Sequence, residues 1–321
     1  MLEYPLIGIS TCLRPDYNPQ IDRFIYFNEV QPFIKALEWI KDVGCDNIEL
    51  SGTPPSLIFD ELKTMLKDLN LNVITGHNYM DSKGFDLKDR YGDNIASTDD
   101  DLRRKAVERT KEGAKRLLEL GGRALVLHPG SVAGISRNYE FWQIIEIAIN
   151  KGKENVEEYI SRVKKERERL VPPYIDTLSK SLEELLSCVP DLYFCLECRN
   201  YPYEIPNARE LNLLLERFKD NRIGYWHDCG HALFNEILGF YKQTEILEAA
   251  GDRLVGFHVH DVIIHDHKVP GKGIMDWEIL KPYFRKDRFF IMELAPDTEL
   301  EGVREGWRFM KGLFLTIPDN K

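Results

Sequence analysis

Short apolar runs alternate with longer amphipathic stretches along the whole chain. Eight of these runs read as buried strands, because turn or polar residues bound each one and most are rich in β-branched, aromatic or leucine side chains. They are Leu6–Cys12, Asn47–Leu50, Asn72–Thr75, Ala124–Leu127, Leu192–Leu196, Arg222–Trp226, Leu254–Val259 and Phe289–Met292. The pattern therefore predicts eight strands.

The stretches between the runs have the apolar spacing of helices that pack on a core through one face. The clearest begins at Thr98-Asp99-Asp100-Asp101, which has the pattern of a capping box, and stops at Gly121-Gly122, a typical C-terminal signal. Its predicted inner face consists of Leu102, Ala106, Thr110, Ala114, Leu117 and Leu118. Further helices are predicted over Glu29–Asp42, Ser56–Asn70, Pro172–Ser187, Ala208–Phe218 and Leu300–Phe314.

Strands that alternate with helices indicate βαβ units and a parallel sheet. Eight such units in one chain favour an α/β fold, a single closed (β/α)8 barrel of the TIM type. A doubly wound sheet is the alternative, but no G-x-G-x-x-G fingerprint of its usual cofactor site follows the first strand.

Two segments are longer than a minimal barrel needs, Tyr79–Ser97 and Ser131–Val171. The second contains the charged run Lys164–Arg169, which we interpret as the solvated face of an extra helix rather than a nucleic-acid patch. We therefore expect a helical insertion after strand 4, at about residues 131–171. No linker rich in Pro, Gly and Ser interrupts the chain, so residues 1–321 are expected to form one domain.

The composition narrows the classes of partner. The 321 residues include 43 basic and 53 acidic side chains, for a net charge of −10, which argues against a protein that coats phosphate backbones or anionic lipid. No run approaches the roughly 18–20 apolar residues of a membrane span, and the first five residues lack the features of a signal peptide.

The six cysteines are scattered, without the spacing of a small disulfide scaffold, so we expect them to be reduced and the protein to be cytoplasmic. Cys195 and Cys198 have the C-x-x-C spacing, but positions i and i+3 of a strand face opposite ways. With no second pair in the chain, both are interpreted as core residues rather than a zinc or redox site.

All eight histidines fall at the carboxyl ends of the predicted strands or in the loops that follow them. They are His77, His128, His227, His231, His258, His260, His265 and His267. In a barrel of this kind the working site lies at that end of the strands. A single histidine there would mean little, but eight at one rim indicate a site.

Carboxylates join the histidines at the same rim: Glu49, Glu197, Asp228, Asp261 and Glu293. Mixed imidazole and carboxylate ligands suit Zn, Mn or Co, or Mg where oxygen dominates. Asp228 and His231 can reach one centre from a strand end and the turn beyond it, and His258 and His260 can face the same side of a strand. His227 is expected only to hydrogen-bond within the rim.

Several short motifs, in a fixed order along the chain, resemble those of a known superfamily. They are Ile7-Gly8-Ile9-Ser10, Ile48-Glu49-Leu50, His128-Pro129-Gly130, Leu196-Glu197, Asp228-Cys229-Gly230-His231, His258-Val259-His260-Asp261, His267 to Gly273, Asp276-Trp277 and Met292-Glu293. The chain is similar to the xylose-isomerase-like barrels, which include sugar-phosphate isomerases and epimerases and the abasic-site endonucleases. The resemblance covers nearly the whole chain apart from the Ser131–Val171 insertion.

The resemblance implies a shared metal centre formed by Glu197, Asp228, His258 and Glu293. In the epimerase branch it also implies that Glu197 and Glu293 act as acid and base and that His231 contacts a substrate oxygen. A divalent ion stabilises the charge of an enediolate, while the two carboxylates remove and return a proton at carbon. Arg199 either orients a hydroxyl or carboxylate of the substrate or forms a structural ion pair.

The endonuclease branch holds three zinc ions. The resemblance places its extra ligands at His77, His128, His231 and His267. That branch has an aspartate two residues before the last of these histidines, where this chain has His265. The departure argues against a full three-metal set unless the imidazole of His265 serves as a ligand. Glu49 and His260 are further candidates for contact with metal or substrate.

We therefore expect a metal-dependent isomerase or epimerase of a neutral sugar or polyol. A keto-polyol dehydratase begins with the same proton removal, and a zinc-dependent abasic-site endonuclease is the second alternative. A barrel kept only for binding would have gaps in the four ligand positions, which are all filled here. The sequence leaves open the substrate, the choice among Mn, Co, Mg and Zn, and the presence of a homo-oligomer. Trp226 and Trp277 are interpreted as core residues first and as a wall for a sugar ring second.

Overall fold

Eight parallel strands close into a barrel in the computed structural model, which describes residues 6–15, 29–51, 57, 59–78, 94–135 and 141–318. The strands are β1 Ile7–Ser10, β2 Asn47–Leu50, β3 Asn72–His77, β4 Ala124–Leu127, β5 Tyr193–Glu197, β6 Ile223–Asp228, β7 Leu254–Val259 and β8 Phe289–Met292. Each of the eight predicted runs overlaps one of them, and the (β/α)8 barrel is confirmed.

The order of the strands brings their carboxyl ends to one rim. Each strand pairs with its neighbours in the sequence, and β8 closes the barrel against β1, with Phe290 aligned to Ile7. Three strands continue one or two residues beyond the predicted apolar runs and end on polar residues, namely His77, Glu197 and Asp228. Parallel pairing therefore carries these side chains to the rim.

Helices cover the outside of the barrel close to the predicted ranges. Within the described residues they are α1 Val30–Asp42, α2 Phe59–Asp68, α3 Asp100–Glu119, α4 Phe141–Lys151, α5 Glu157–Leu170, α6 Pro172–Cys188, α7 Ala208–Arg217, α8 Cys229–Ile237, α9 Gln243–Ala250, α10 Trp277–Leu280 and α11 Leu300–Leu315. The cap of α3 is Asp99, one residue later than predicted, because its side chain accepts the N–H groups of Asp101 and Leu102. Leu102 is 42 % exposed, so it was wrongly assigned to the inner face.

A small apolar cluster fills the barrel below the rim. It consists of Leu6, Ile74, Ala124, Val126, Cys195, Trp226, Phe289 and Ile291. Trp226 is fully buried, and its ring centroid lies 5.2 Å from that of His258. Gly256 makes room for it, since a Cβ there would lie 2.4 Å from Cζ3 of Trp226. Trp226 is therefore a core residue that forms the floor beneath the rim, not a wall for a sugar ring.

The segment after β4 forms the predicted helical insertion. Its described part holds α4 and α5, and Gly130–Ser131 pairs antiparallel with Glu204–Ile205 beside it. The charged run lies on α5 but is not wholly solvated, because Nη2 of the buried Arg167 donates to both carboxylate oxygens of Glu210 at 2.6 Å. The other long segment, Tyr79–Ser97, lies mostly outside the described residues.

The cysteines behave as core or surface residues. All six are free thiols. Cys195 lies inside the barrel and Cys198 in the core between the strands and the helices, so the two face opposite ways as predicted. In the part of the chain that the structure describes, no helix is long and apolar enough to cross a membrane.

Candidate metal centre

Four strand ends bring four buried side chains together in the middle of the rim. Glu197 ends β5, Asp228 ends β6, His258 is the next-to-last residue of β7, and Glu293 directly follows β8. One ligand atom from each lies within 4.8 Å of the others. We call these four residues the central cluster.

The imidazole of His258 lies at the middle of the central cluster. Its Nδ1 is 3.1 Å from Oε1 of Glu197, 3.1 Å from Oε2 of Glu293 and 3.5 Å from Oδ2 of Asp228. Ligands about 2.1 Å from a tetrahedral ion are about 3.4 Å apart, so the donor set and its spacing fit a divalent cation.

Charge balance in the central cluster requires a cation. Burial acts to raise the pKa of the Asp228 carboxyl, but His231 and His260 hold it well below its usual range. Burial likewise disfavours the charged form of His258, yet the carboxylates of Glu293 and Glu49 raise the pKa of its imidazole well above the usual value. Either a proton on His258 or a metal ion can supply the positive charge.

Glu49 contacts the His258 ring on the side opposite the three carboxylates of the central cluster. Nε2 of His258 lies 3.1 and 3.2 Å from the two oxygens of Glu49, and Oε2 of Glu49 accepts the hydroxyl of Thr75 at 3.0 Å. With the Nε2 proton directed at Glu49, the Nδ1 lone pair faces the three carboxylates. This is how a carboxylate orients a metal-ligating histidine. His77 stacks on the same ring, with centroids 5.1 Å apart.

Two donors hold the second oxygen of Glu197. His128 Nε2 lies 2.7 Å and Arg199 Nη1 2.9 Å from Oε2. Burial and Arg199 lower the pKa of His128 to about 3, so its imidazole is neutral. Burial alone would raise the pKa of the Glu197 carboxyl, but Arg199 and His128 hold it well below its usual range. Arg199 thus forms an ion pair within the site and stays 16 % exposed.

Asp228 is held by the start of α8 and by His260. As the N-cap of α8, it accepts the backbone N–H of His231 at 2.8 Å, while Nε2 of His260 lies 2.9 Å from the same oxygen. The ring of His231 lies beside it, with Nδ1 3.4 Å from Oδ2 of Asp228, as their spacing predicted. Against the effect of burial, Asp228 raises the pKa of His231 to about 10.

A second group lies on the far side of His231 and contains Asp266, which the sequence analysis did not identify. Nε2 of His231 is 3.5 Å and Nε2 of His267 is 3.9 Å from Oδ2 of Asp266. The Asn200 side-chain amide donates to that oxygen at 3.2 Å. We call Asp266, His231 and His267 the outer group. The one signal for Asp266 in the sequence is its place between two histidines.

His265 is not brought into either group. Its exposed ring packs edge-on against Trp142, with centroids 4.6 Å apart. The Ile263 N–H donates to the His265 carbonyl at 3.2 Å, and His267 has a left-handed φ of 56°, so the loop presents Asp266 to His231 instead. The imidazole of His265 therefore does not take the place of the aspartate of the endonuclease branch.

The remaining candidates lie beside the site or away from it. Cys12, at the rim after β1, donates from Sγ to Oε1 of Glu293 at 3.3 Å, a contact that no motif in the sequence indicates. His227 turns away, with Nδ1 2.9 Å from the Tyr225 hydroxyl. Trp277 packs on Phe309, with ring centroids 5.1 Å apart.

The model of one protein family, described as the xylose isomerase-like TIM barrel, matches residues 37–313. The chain belongs to this family. No curated protein sequence matches it significantly. The resemblance to this family implies four shared metal ligands, and these are the four residues of the central cluster. Their role as metal ligands stays a prediction.

Solved structures of this family's fold superpose on nearly the whole chain. A D-tagatose 3-epimerase-like protein has 16 % identity, covers 97 % of both chains and gives a TM-score of 0.64. The 3-keto-D-glucoside 4-epimerase of E. coli has 16 % identity, covers 96 % of this chain and 100 % of its own, and gives 0.62. D-psicose 3-epimerase of Clostridium cellulolyticum H10 has 15 % identity, covers 96 % of this chain and 99 % of its own, and gives a TM-score of 0.62. At these identities the similarity establishes the fold.

Proposed function

We propose that this family member is a divalent-metal-dependent epimerase or isomerase of an uncharged sugar or polyol, active in carbohydrate metabolism. The observation that carries the proposal is the convergence of three carboxylates on Nδ1 of His258. Three carboxylates and one imidazole suit Mn, Co, Mg or Zn. The structures named above are mostly of sugar epimerases, which supports the same class.

The chemistry is a proton transfer at carbon. A divalent cation in the central cluster would polarise the substrate carbonyl and offset the charge on its adjacent oxygens. Glu197 or Glu293, as the carboxylate, takes the proton from the carbon beside the carbonyl. The C–H electrons form the new C=C bond, and the carbonyl π electrons move to the carbonyl oxygen. The other glutamate, which enters the step as the carboxylic acid, then donates its proton to the opposite face of that carbon as the carbonyl re-forms, which inverts the carbon. Exchange with solvent restores the two carboxyl groups.

The surroundings of the two glutamates suit these roles. Each has one oxygen 3.1 Å from His258, which fixes its position. The second oxygen of Glu197 is held by His128 and Arg199, and that of Glu293 accepts the weak thiol donor of Cys12. Both carboxylates are therefore held by neighbours before a substrate arrives, which is the preorganisation that proton transfer requires.

The carboxylates of the site suit a polyhydroxylated substrate. The rim carries the carboxylates of Glu49, Glu197, Asp228, Asp266 and Glu293 close together. Hydroxyl groups can donate hydrogen bonds to carboxylates, and the net charge of −10 favours an uncharged substrate over a phosphorylated one.

Proton exchange tests the proposal directly. The Mn²⁺-loaded protein is incubated in D₂O with D-psicose, D-tagatose, L-ribulose and inosose-type ketones, and deuterium at carbon is followed by NMR. We expect incorporation and an epimeric or isomeric product with at least one compound. Absence of exchange across the panel would overturn the proposal. A keto-polyol dehydratase shares the first step, and loss of water from the product, seen by mass spectrometry, would identify it.

A second candidate is a zinc-dependent phosphodiesterase that acts at abasic sites. Two further donor sets favour it, His77–His128–Glu197 and the outer group, each with ligand atoms within 4.8 Å of one another. Asp266 supplies a carboxylate where the resemblance lacked one. The net charge of −10 opposes binding to DNA. Incision of an oligonucleotide with one abasic site in the presence of Zn²⁺ would support this candidate, and intact DNA would remove it.

We also infer that residues 1–321 form one domain and that the protein works in the cytoplasm. The free thiols of all six cysteines support the location. A single cooperative unfolding transition and recovery in the cytoplasmic fraction are the expected results, and two transitions or an extracytoplasmic location would contradict the inference.

A further inference from the structure

The outer group lies between the central cluster and solvent. In His231, Nδ1 faces Asp228 at 3.4 Å and Nε2 faces Asp266 at 3.5 Å. The side chains of Asp266 and His267 are 11 % and 22 % exposed, whereas those of Asp228 and His258 are fully buried. Asp266 and His267 therefore lie on the solvent side of the central cluster.

The loop after β7, which carries these two side chains, is fixed by backbone hydrogen bonds. The Asp261 carboxylate accepts the N–H groups of Val262 and Gly271 at 2.9 Å and of Met275 at 3.0 Å. Asp261 and Lys268 also bond backbone to backbone in both directions, at 2.8 and 3.0 Å. A loop held in this way presents its side chains at set positions, which selectivity requires.

His267 is held in an unfavourable backbone conformation. Its φ of 56° lies in the left-handed region, which few residues other than glycine adopt. Its N–H donates to Nδ1 of His260 at 2.9 Å, and its carbonyl accepts the Ala295 N–H at 2.9 Å. Residues kept in such conformations by their surroundings cluster at ligand-binding positions.

The two side chains offer hydrogen-bond acceptors to a hydroxyl group. A carboxylate accepts a hydrogen bond from a hydroxyl. Nδ1 of His267 lies 3.3 Å from the Glu293 carbonyl, which can only accept, so the neutral ring presents Nε2 as an acceptor beside Asp266. Within the described part of the chain, the contacts of Asp266 with Asn200, His231 and His267 all involve Oδ2, which leaves Oδ1 for a ligand. The pair can bind a hydroxyl group, whereas the carboxylate repels an anion.

We propose that Asp266 and His267 bind a substrate hydroxyl on a carbon beyond the reacting one and so determine which sugars or polyols are accepted. The proposal rests on the proposed epimerase or isomerase function. It narrows the substrate class to an uncharged chain with at least one hydroxyl in addition to the two oxygens at the central cluster.

The test compares a sugar with its deoxy analogues. Wild type and Asp266→Asn, both loaded with Mn²⁺, are assayed by deuterium exchange with D-psicose or D-tagatose, whichever reacts faster, and with its 4-, 5- and 6-deoxy analogues. We expect wild type to have at least about tenfold lower kcat/KM with one analogue, because Asp266 is then left unpaired. Asp266→Asn should lose about tenfold on the parent sugar but at most about twofold on that analogue. The Kd values of the same sugars, measured by calorimetry for wild type and Asp266→Asn, should rise where kcat/KM falls.

Two variants and one measurement serve as controls. His267→Gln should reproduce the selective loss, whereas His265→Gln, whose ring packs on Trp142, should behave like wild type. The Mn²⁺ content should be equal in all variants. Loss of metal from Asp266→Asn, or an equal loss of activity on all sugars, would overturn the proposal, because the outer group would then hold an ion or support the fold.

The two proposals fail in different ways. A wild type that exchanges none of the sugars overturns the proposed function and this inference with it. A wild type that is active but treats the parent sugar and all deoxy analogues alike overturns only the role of Asp266 and His267.

Discussion

Glu49 and His258 face each other inside the barrel, with Nε2 of His258 3.1 and 3.2 Å from the two oxygens of Glu49. The two residues are 209 positions apart in the sequence and are both fully buried. The contact directs Nδ1 of His258 toward Glu197 and Glu293, so the orientation of the central cluster depends on a carboxylate outside it.

Glu49→Gln removes this charge at nearly constant volume. Because an amide orients the ring less strongly and lowers its basicity, we expect the affinity for Mn²⁺ to fall about 10- to 100-fold. Competition for Mn²⁺ between the protein and a chelating dye measures this affinity. Glu61→Gln, on the exposed surface of α2, is the matched control and should bind like wild type. Equal dissociation constants for Glu49→Gln and wild type would contradict the orienting role.

Glu197→Gln and Glu293→Gln test the acid and base. Each removes a carboxylate that transfers a proton, so we expect kcat for deuterium exchange to fall about 10²- to 10⁴-fold at saturating Mn²⁺. The metal content of each variant, determined on the same samples, separates loss of proton transfer from loss of the ion. If both variants bind Mn²⁺ and retain kcat within a few fold, neither glutamate is the acid or base.

Removal of the metal should destabilise the fold. Without the ion, the carboxylates of the central cluster face one another with only a proton on His258 between them. A metal at about 100 times its Kd stabilises the native state by about 2.7 kcal/mol, so we expect chelation to lower Tm and added Mn²⁺ to restore it. Asp228→Asn, which weakens the site, should show a smaller response. A Tm that changes neither on chelation nor on addition of Mn²⁺ would argue against a metal in the central cluster.

The position of the central cluster at the rim could be predicted because its residues end regular strands, whereas the choice of these four among the rim residues came from the resemblance to the family. Glu197 and Asp228 follow apolar runs whose length and spacing are visible in the sequence, and parallel pairing then fixes where they lie. The apolar runs stop one or two residues early, since the final positions of β5 and β6 are polar while the pairing continues through them. Closure of the barrel then brings the ends of these strands together at one rim.

The outer group could not be predicted in the same way, because it lies in an irregular loop. The left-handed backbone of His267 decides which of His265, Asp266 and His267 turns inward, together with the backbone N–H groups that donate to the Asp261 carboxylate. Neither feature produces a periodic pattern in the sequence. The burial of Arg167 was missed for a similar reason, because its partner Glu210 lies on another helix.

Arg167 should contribute strongly to stability. Its guanidinium and the carboxylate of Glu210 are both buried, so Arg167→Ala leaves a buried charge without its partner and should cost about 3–5 kcal/mol. Arg169→Ala, two residues along the same helix at an exposed position, is the control and should change the free energy of unfolding by about 0.5 kcal/mol or less. Urea unfolding measures both, and equal effects would show that the pair does not anchor the insertion.

Gly256 links the floor of the barrel to the site above it. In Gly256→Ala the new Cβ would lie 2.4 Å from Cζ3 of Trp226 and 2.9 Å from Cβ of Phe289, and a fully buried ring has little room to move. We expect a loss of about 1–3 kcal/mol in the free energy of unfolding. Because the Trp226 ring lies 5.2 Å from His258, its displacement should also weaken Mn²⁺ binding.

Gly312→Ala is the matched control for Gly256→Ala. Gly312 lies in α11 with nothing within 4 Å of a new Cβ, so alanine should stabilise the helix by about 0.5–1 kcal/mol. Chemical unfolding and a Mn²⁺ titration on both variants separate the two effects. If Gly256→Ala lost stability but bound Mn²⁺ as wild type does, the Trp226 floor would support the barrel without positioning His258.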